Sequence, residues 1–112
     1  MQSKNTVSDS QLVNLSKIHS LKGNLTVIEN EKNIPFKIKR IYYLYDVPSG
    51  ISRGGHAHYQ LEQYIVAASG SFDVFLVEGK NKKRYFLNNL NFALHIVPGL
   101  WRSLGNFSSG SI

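Results

Sequence analysis

Short apolar segments, each bounded by glycine, proline or asparagine, recur along the whole chain. Apolar and polar positions alternate within several of them, as they do in strands, and no stretch keeps a helical period over about 11 residues. The predicted strands cover residues 12–18, 25–29, 38–46, 64–68, 72–77, 84–87, 92–97 and 100–104. Short strands spaced by about 8–12 residues predict an all-β barrel or sandwich, and among these we expect a jelly roll.

Turn residues between the strands predict two hairpins. Residues 21–24 join the first two strands, and the basic run Lys80–Arg84 forms the tip of a later hairpin. We expect Tyr43 and Tyr45 to pack in the core or on the opposite face of their strand, because aromatic residues favour half-buried sheet surfaces. Four phenylalanines of the later strands are also expected in the core, namely Phe72, Phe75, Phe86 and Phe92.

Composition limits the class of protein. A chain of 112 residues with 42% hydrophobic and 18% charged residues suits one folded domain. We expect residues 1–10 to be a flexible N-terminal segment and residues 11–112 to form that domain. The absence of cysteine excludes disulfides and thiolate chemistry. No apolar run approaches the roughly 20 residues of a membrane helix, and no signal peptide begins the chain, so we expect a cytoplasmic protein.

The formal net charge of +6 is compatible with two classes of partner. Nucleic acid is one, but no helix-turn-helix, zinc-finger or RNA-binding signature accompanies the basic residues. A small anionic ligand explains the sign equally well. We therefore expect no nucleic acid and no membrane among the partners.

The densest set of chemically capable groups lies in residues 50–63. His56 and His58 share a face if this segment is extended, with Cα atoms about 6–7 Å apart. Two imidazoles at that spacing can address one small ligand, either as a metal pair or as an acid/base pair. Arg53 and the Gly54-Gly55 step allow a fixed cation and the backbone to approach the same place.

Several motifs resemble one known family. Gly50, His56, His58 and Glu62 have the spacing of the first cupin motif, and Pro98–Arg102 followed by Asn106 resembles the second. Four blocks resemble, in order, the nucleotide-sugar 3,4-ketoisomerases (FdtA-, QdtA- and WxcM-like proteins) of the cupin superfamily: Lys39–Tyr43, Arg53–His58, Gly70–Val74 and Asn106–Ser111. The resemblance runs from Leu12 to Ile112 and implies a cupin-type jelly roll.

This resemblance also implies an activity. Enzymes of the family convert dTDP-4-keto-6-deoxyglucose into a 3-keto isomer, which requires removal of the C3 proton, an enediol and protonation at C4. The ordinary pKa of histidine suits both proton transfers. The resemblance implies His56 and His58 as the catalytic pair, with His58 favoured as the base. Arg53 is a candidate for stabilising the developing enediolate.

The same resemblance implies a set of substrate-binding residues. Arg40 and Tyr42 are assigned to the pyrophosphate and the sugar, since an arginine fork matches phosphate oxygens. Arg102 is a second candidate for phosphate, and Trp101 is expected to pack beside the sugar or the base.

Glu62 and Gln63 compete for the inward direction at the site. The cupin spacing favours Glu62 and the ketoisomerase pattern favours Gln63, and a regular strand cannot point both inward. We favour Gln63.

No metal and no other cofactor are expected. Arg102 occupies the position of the fourth cupin metal ligand, where a permanent cation repels a metal ion and prefers an anion. Family members resembling this chain work without metal. His95 lies in an apolar run outside the motif, and we expect it to be a structural residue.

Three alternatives to the isomerase stay open, of which one is a metal-dependent cupin oxygenase. A dTDP-sugar 3,5-epimerase is also a cupin acting on the same substrate, and a non-catalytic cupin would bind the nucleotide sugar without proton exchange. Relatives continue through a further strand and tail beyond the position of Ile112, so the domain is expected to lack them. We further expect a homodimer, and a role in deoxyamino-sugar and surface-polysaccharide (O-antigen) biosynthesis.

Overall fold

The computed structural model describes residues 6–30, 32–48, 50–57 and 62–112. Within these residues the chain is nearly all β, with a single 3-10 turn at Val7–Asp9. The strands are β1 (Gln11–Asn14), β2 (Lys17–Ser20), β3 (Gly23–Thr26), β4 (Arg53–Ala57), β5 (Gln63–Ile65), β6 (Phe72–Glu78), β7 (Asn81–Leu87), β8 (Phe92–Ile96) and β9 (Trp101–Gly105). No helix in the described part is long and apolar enough to cross a membrane.

The described strands form three antiparallel sheets. The largest has the order β4-β9-β6-β7, the second has the order β1-β8-β5, and β2 and β3 pair only with each other. Alternate residues of β6, Phe72, Val74 and Leu76, point into a buried cluster that they share with Leu94 and Ile96 of β8. Burying each of these side chains contributes about 1.5–3 kcal/mol, so the two larger sheets are held together by this shared core.

Most of the predicted strands are present, with shifted ends. The predicted strand 12–18 is divided into β1 and β2, and residues 64–68 contribute only the end of β5. The basic run lies differently from the prediction: the hairpin tip is Gly79–Lys80, and Lys82–Arg84 belong to β7, where they pair with β6. A two-residue turn leaves their long charged side chains on an exposed strand surface rather than in a loop.

The strand predicted at 38–46 is the main error, because the structure assigns no strand to residues 37–48. The side chains still alternate around a small cavity: Tyr42 and Leu44 line it, whereas Ile41 and Tyr43 do not and are 74% and 73% exposed. Alternation and β-branched composition favour an extended backbone, but a strand also needs a ladder partner. Within the described residues no segment supplies one.

The predicted aromatic core is only partly present. Phe72 is buried at 3%, but Phe86 is 53% and Phe92 37% exposed, and Tyr45 is exposed as well. Period 2 explains the result for β7, since Tyr85 and Leu87 occupy its buried face and Phe86 lies between them. Aromatic composition therefore indicated the strands β6, β7 and β8 but predicted poorly which residues face inward.

Residues 6–10 differ from the flexible segment predicted for 1–10, of which residues 1–5 lie outside the described residues. Ser10 is 1% exposed, and its Oγ accepts a hydrogen bond of 3.1 Å from the Val97 amide. The Tyr85 hydroxyl donates to the Ser10 carbonyl at 2.9 Å. These two bonds fix the chain against β7 and the residue after β8, because buried polar groups need partners.

Candidate active site

Tyr42 is the point where three predicted binding residues meet. The Gln63 amide donates to its hydroxyl at 3.3 Å, and the Arg102 guanidinium approaches the same oxygen at 3.5 Å. The Arg40 guanidinium lies over the Tyr42 ring, 5.2 Å from its centre, in a cation–π arrangement. Three parts of the chain therefore converge on the Tyr42 phenol: the extended segment that carries Arg40, strand β5 and strand β9.

Three arginines surround a cavity of about 290 Å³ beside Tyr42. Arg40, Arg53 and Arg102 line it together with Tyr42 and Gly54. No described carboxylate forms an ion pair with any of the three guanidinium groups. Uncompensated arginines around a concave surface favour an anion, above all one whose oxygens match the guanidinium fork.

Arg102 is the buried member of this group. It is 5% exposed, and its Nε has no hydrogen-bond partner within the described residues. Burying a permanent cation with an unused donor costs several kcal/mol, an order of magnitude taken from buried ions in general. Such a group is retained where a ligand supplies the missing partner.

Gly54 allows this approach of Arg102 to β4. It adopts φ +71°, and a Cβ there would lie 3.3 Å from both Arg102 Nη1 and Leu104 Cδ1. The pairing of β4 with β9 shifts register between Arg53 and His56, as in a β-bulge with a glycine in the left-handed region. The glycine step noted in the sequence therefore has a geometric role.

The catalytic histidines predicted from the sequence are only partly described. Within the ladder His56 pairs directly with Arg102, and directly paired positions share a face of a sheet. The backbone thus sets His56 directly opposite Arg102 in the large sheet. His58 lies outside the described residues.

Trp101 lies away from this group. It pairs with Ala57 and Val77, one position out of phase with Arg102, so it occupies the opposite face of the sheet. A Cβ on Gly55 would lie 3.2 Å from its indole, which therefore covers the outer side of β4. The predicted contact of Trp101 with sugar or base gains no support from this placement.

A second cavity of about 640 Å³ adjoins the first and shares Arg40, Tyr42 and Arg102 with it. Its walls are residues 36–44 and 62–66, and most of the lining is apolar. A largely apolar cleft with a few convergent polar groups is the usual form of a small-molecule site.

Both Glu62 and Gln63 line this larger cavity. Strand β5 begins at Gln63, so Glu62 lies just outside the ladder and the alternation rule does not force it away. Gln63 contacts Tyr42, as noted above, whereas the Glu62 carboxylate lies 2.7 Å from His95 Nε2. The two candidates therefore have different partners in one cavity.

His95 belongs to an aromatic cluster that the sequence did not reveal. Its ring stacks on Phe36 at 6.1 Å and contacts the Tyr64 ring at 5.4 Å. Burial, and secondarily the nearby Glu62 carboxylate, raise the pKa of the Tyr64 phenol above its ordinary value. No spacing rule connects Phe36 with His95, so only folding could bring them together.

Metal-ligating side chains are not grouped in the described part of the chain: no set of three or more His, Cys, Asp or Glu there could hold a metal ion. His58 is not among these residues. The Glu62 carboxylate, which the cupin spacing suggests as a ligand, already accepts a hydrogen bond from His95. The prediction of a metal-free site therefore still rests on the sequence argument that Arg102 occupies the position of the fourth cupin metal ligand.

The matches to known proteins agree with this geometry. A family model described as FdtA: WxcM-like, C-terminal matches residues 8–112. The chain belongs to this family. It is also 38% identical over 104 residues to the TDP-4-oxo-6-deoxy-alpha-D-glucose-3,4-oxoisomerase of Aneurinibacillus thermoaerophilus, covering 93% of this chain and 75% of that protein.

Solved structures of family members superpose closely on the chain. A 3,4-ketoisomerase from Helicobacter canadensis matches with a TM-score of 0.89 and 42% identity, over 92% of this chain and 77% of that one. The sugar 3,4-ketoisomerase QdtA from Thermoanaerobacterium thermosaccharolyticum, solved in complex with TDP, matches with a TM-score of 0.90 and 34% identity, over 95% and 77%. The predicted family and the cupin-type all-β fold are thus confirmed.

Proposed function

We propose that this chain is a TDP-sugar 3,4-ketoisomerase that moves the keto group of TDP-4-keto-6-deoxyglucose from C4 to C3. The observation that carries the proposal is the cavity of Arg40, Arg53 and Arg102 beside Tyr42, adjoining the apolar cleft. A nucleoside diphosphate sugar offers a diphosphate for the first and a less polar body for the second. The similarity to the TDP-4-oxo-6-deoxy-alpha-D-glucose-3,4-oxoisomerase of Aneurinibacillus supports the reaction type.

The proposed chemistry needs two proton transfers and no redox partner. A base removes the proton from C3, the C–H electron pair forms the C3–C4 double bond, and the C4 carbonyl oxygen takes up a proton to give the enediol. Loss of the proton from the C3 hydroxyl then forms the C3 ketone as C4 is protonated. We assign these transfers to His56 and His58, with His58 as the C3 base.

The arginines supply the electrostatic part of the proposal. Negative charge develops on the oxygens of the enediolate, and fixed cations stabilise it best where water is excluded. Arg53 is assigned to this charge, Arg40 to the diphosphate, and buried Arg102 to phosphate or sugar oxygens. Tyr42 and Gln63, already hydrogen-bonded to each other, are assigned to orienting the sugar.

The decisive experiment is proton NMR of TDP-4-keto-6-deoxyglucose with this protein in D₂O. We expect loss of the C3 proton signal and appearance of a 3-keto sugar, with both abolished by His58→Asn. Arg84→Met, which changes an exposed strand residue, is the matched control and should remain active. Inversion at C3 and C5 without carbonyl movement would identify an epimerase, and TDP binding by folded protein without exchange would identify a non-catalytic binding module.

Three further expectations remain part of the proposal. Because the product is a 3-keto sugar, an amino-group transfer in deoxyamino-sugar synthesis is the reaction class expected to consume it. A nucleotide-linked substrate fits a cytoplasmic location. The exposed apolar residues Ile18 and Leu25 of the β2–β3 hairpin support a homodimer, since the hairpin joins neither of the larger described sheets.

A further inference from the structure

A histidine and a carboxylate outside the proposed catalytic pair meet beside the larger cavity. His95 Nε2 lies 2.7 Å from Glu62 Oε2, and the two side chains are 13% and 32% exposed. Because a carboxylate only accepts hydrogen bonds, Nε2 carries the hydrogen and donates it. His95 does not line the cavity, but it contacts three described residues that do: Glu62 by a hydrogen bond, and Phe36 and Tyr64 by ring contacts.

His95 is held rigidly by its surroundings. It lies in β8, the central strand of its sheet, and pairs with Gln11 of β1 on one side and Tyr64 of β5 on the other. Its ring packs against the rings of Phe36 and Tyr64, which also contact each other edge to face at 5.5 Å, so the three rings form a triangle. A hydrogen bond from so constrained a donor restrains its acceptor.

The hydrogen-bond acceptor, Glu62, lies directly before a short strand whose position needs to be restrained. Strand β5 has three residues, Gln63–Ile65, and forms the edge of its sheet. Short edge strands open easily at their ends, because few ladder bonds hold them. Glu62 directly precedes β5, and Gln63, the first residue of the strand, donates to the Tyr42 hydroxyl at 3.3 Å.

We propose that His95 is a positioning residue: by holding the Glu62 carboxylate it fixes the start of β5 and so keeps the Gln63 amide on Tyr42 in the cavity. The alternative is that the β5–β8 ladder fixes Gln63 by itself and His95 only fills space. The effect on Gln63 is independent of the catalysed reaction, whereas any effect on turnover rests on the proposed function.

Three variants of His95 distinguish the effect of its hydrogen bond to Glu62 from the effect of its ring packing. His95→Gln loses the ring but can place an amide nitrogen near the Nε2 position. His95→Asn has the same amide on a side chain too short to reach Glu62. His95→Phe keeps a stacking ring and has no donor. Glu62→Ala removes the same hydrogen bond from the more exposed partner, which guards against a folding failure at the buried site.

The first readout is the pair of Gln63 side-chain amide signals in ¹⁵N NMR of the ligand-free protein, assigned by their loss in Gln63→Glu. We expect wild type and His95→Gln to share these signals, and His95→Phe, His95→Asn and Glu62→Ala to move them toward solvated glutamine. Wild-type signals in His95→Phe with displaced signals in His95→Gln would overturn the proposal in favour of packing. Unchanged signals in all variants would overturn it in favour of the ladder.

The second readout is kcat/KM for TDP-4-keto-6-deoxyglucose. His95→Phe should lower it by about tenfold, the size expected for losing one hydrogen bond to a charged group, and His95→Gln should restore most of it. Glu62→Ala combined with His95→Phe should lower it no further, because both remove one interaction. An inactive wild type with the expected Gln63 signals would reject the proposed function and still support the positioning role.

Discussion

At the scale of single residues, Arg102 shows the clearest conflict between stability and binding. Its guanidinium is buried, approaches Tyr42 at 3.5 Å and has no ion-pair partner within the described residues. Arg84 is the opposite case: it is exposed and lies 3.0 Å from the buried Asp73 carboxylate. The two arginines should therefore respond in opposite ways to the loss of charge.

We expect Arg102→Met to raise the free energy of unfolding by about 1 kcal/mol, because an apolar side chain of similar length removes the desolvation cost of the cation. The same change should weaken TDP binding by at least about tenfold. Arg84→Met should leave TDP affinity unchanged and lower stability, since it leaves Asp73 short of a partner. Urea titration and calorimetry measure both quantities, and a destabilised Arg102→Met would contradict the argument.

Tyr64 gives a prediction about pH. Burial first, and the Glu62 carboxylate second, raise its pKa above 10.0, so the folded state holds the phenol proton more tightly than the unfolded state does. The resulting stabilisation is full below about pH 10 and is lost as the pH rises through the folded pKa. Urea midpoints between pH 9 and 11 should fall more steeply for wild type than for Tyr64→Phe.

The matched control for this titration is Tyr45→Phe, which removes a hydroxyl group from an exposed ring. If the urea midpoint fell equally steeply with pH for wild type and Tyr64→Phe, the Tyr64 phenol would not be the group responsible for the loss of stability. Tyr64→Phe keeps the ring that packs on His95, and we therefore also expect its stability at pH 8 to equal that of wild type.

At the scale of elements, two sequence blocks that carried the family resemblance hold each other in place. The Ser108 amide donates to the Ser71 carbonyl, and the Ser71 amide donates to Ser108 Oγ, both at 2.9 Å. The Ser111 hydroxyl also donates to the Ser71 carbonyl, at 2.9 Å, and Asn106 donates to Asp73 at 2.7 Å. These blocks thus hold each other by packing, and none of their residues lines the smaller cavity with its three arginines.

Gly70 is the position at which this contact tolerates no side chain. It has φ +68°, and a Cβ would lie 2.6 Å from Ser108 Oγ and 2.8 Å from Ser111 Oγ. We expect Gly70→Ala to lower the free energy of unfolding by about 2–4 kcal/mol, combining backbone strain with loss of the serine contacts.

Gly79→Ala is the control, because Gly79 has φ +56° and nothing within 4 Å of an added Cβ. Gly79→Ala should lower the free energy of unfolding only by the backbone strain, about 1 kcal/mol. Equal losses at the two positions, measured by urea unfolding, would show that the serine contacts contribute little.

At the scale of the whole molecule, apolar surface is concentrated on parts that join no large sheet. Ile18 and Leu25 pair across the β2–β3 hairpin and are 58% and 57% exposed. The segment 37–48 adds Ile41 and Tyr43 and has no strand partner in the part of the chain described. Exposed apolar patches of this kind are typical of interaction surfaces.

If the hairpin contributes to the homodimer implied by the family resemblance, Ile18→Glu should shift the mass measured by light scattering toward the monomer. A carboxylate buried at such an interface costs several kcal/mol, enough to weaken association by more than about a hundredfold. Leu90→Glu, at an equally exposed position of 58%, should leave the mass unchanged. A wild-type monomer, or equal effects of both changes, would reject the hairpin as an interface.

Local patterns were sufficient for much of this protein. Period-2 alternation located β6, β8 and β9, because one face of a half-buried strand packs on the protein core and the other faces water. The ordered motifs identified the family, and the spacing of Arg40 and Tyr42 placed both on the side of their segment that lines the smaller cavity. These are properties of neighbouring residues, which the sequence specifies directly.

Tertiary structure decided whatever depends on partners distant in the chain. Residues 37–48 have strand composition but no ladder within the described part of the chain, because pairing requires a second segment at the right distance. Trp101 and Arg102 lie on opposite faces by strand alternation, but which of them faces the cavity depends on the register in which β9 pairs with β4 and β6. His95 meets Glu62, 33 residues away, through the pairing of β5 with β8. Side-chain type alone could not supply these contacts, since they arise from the register of strands that fold together.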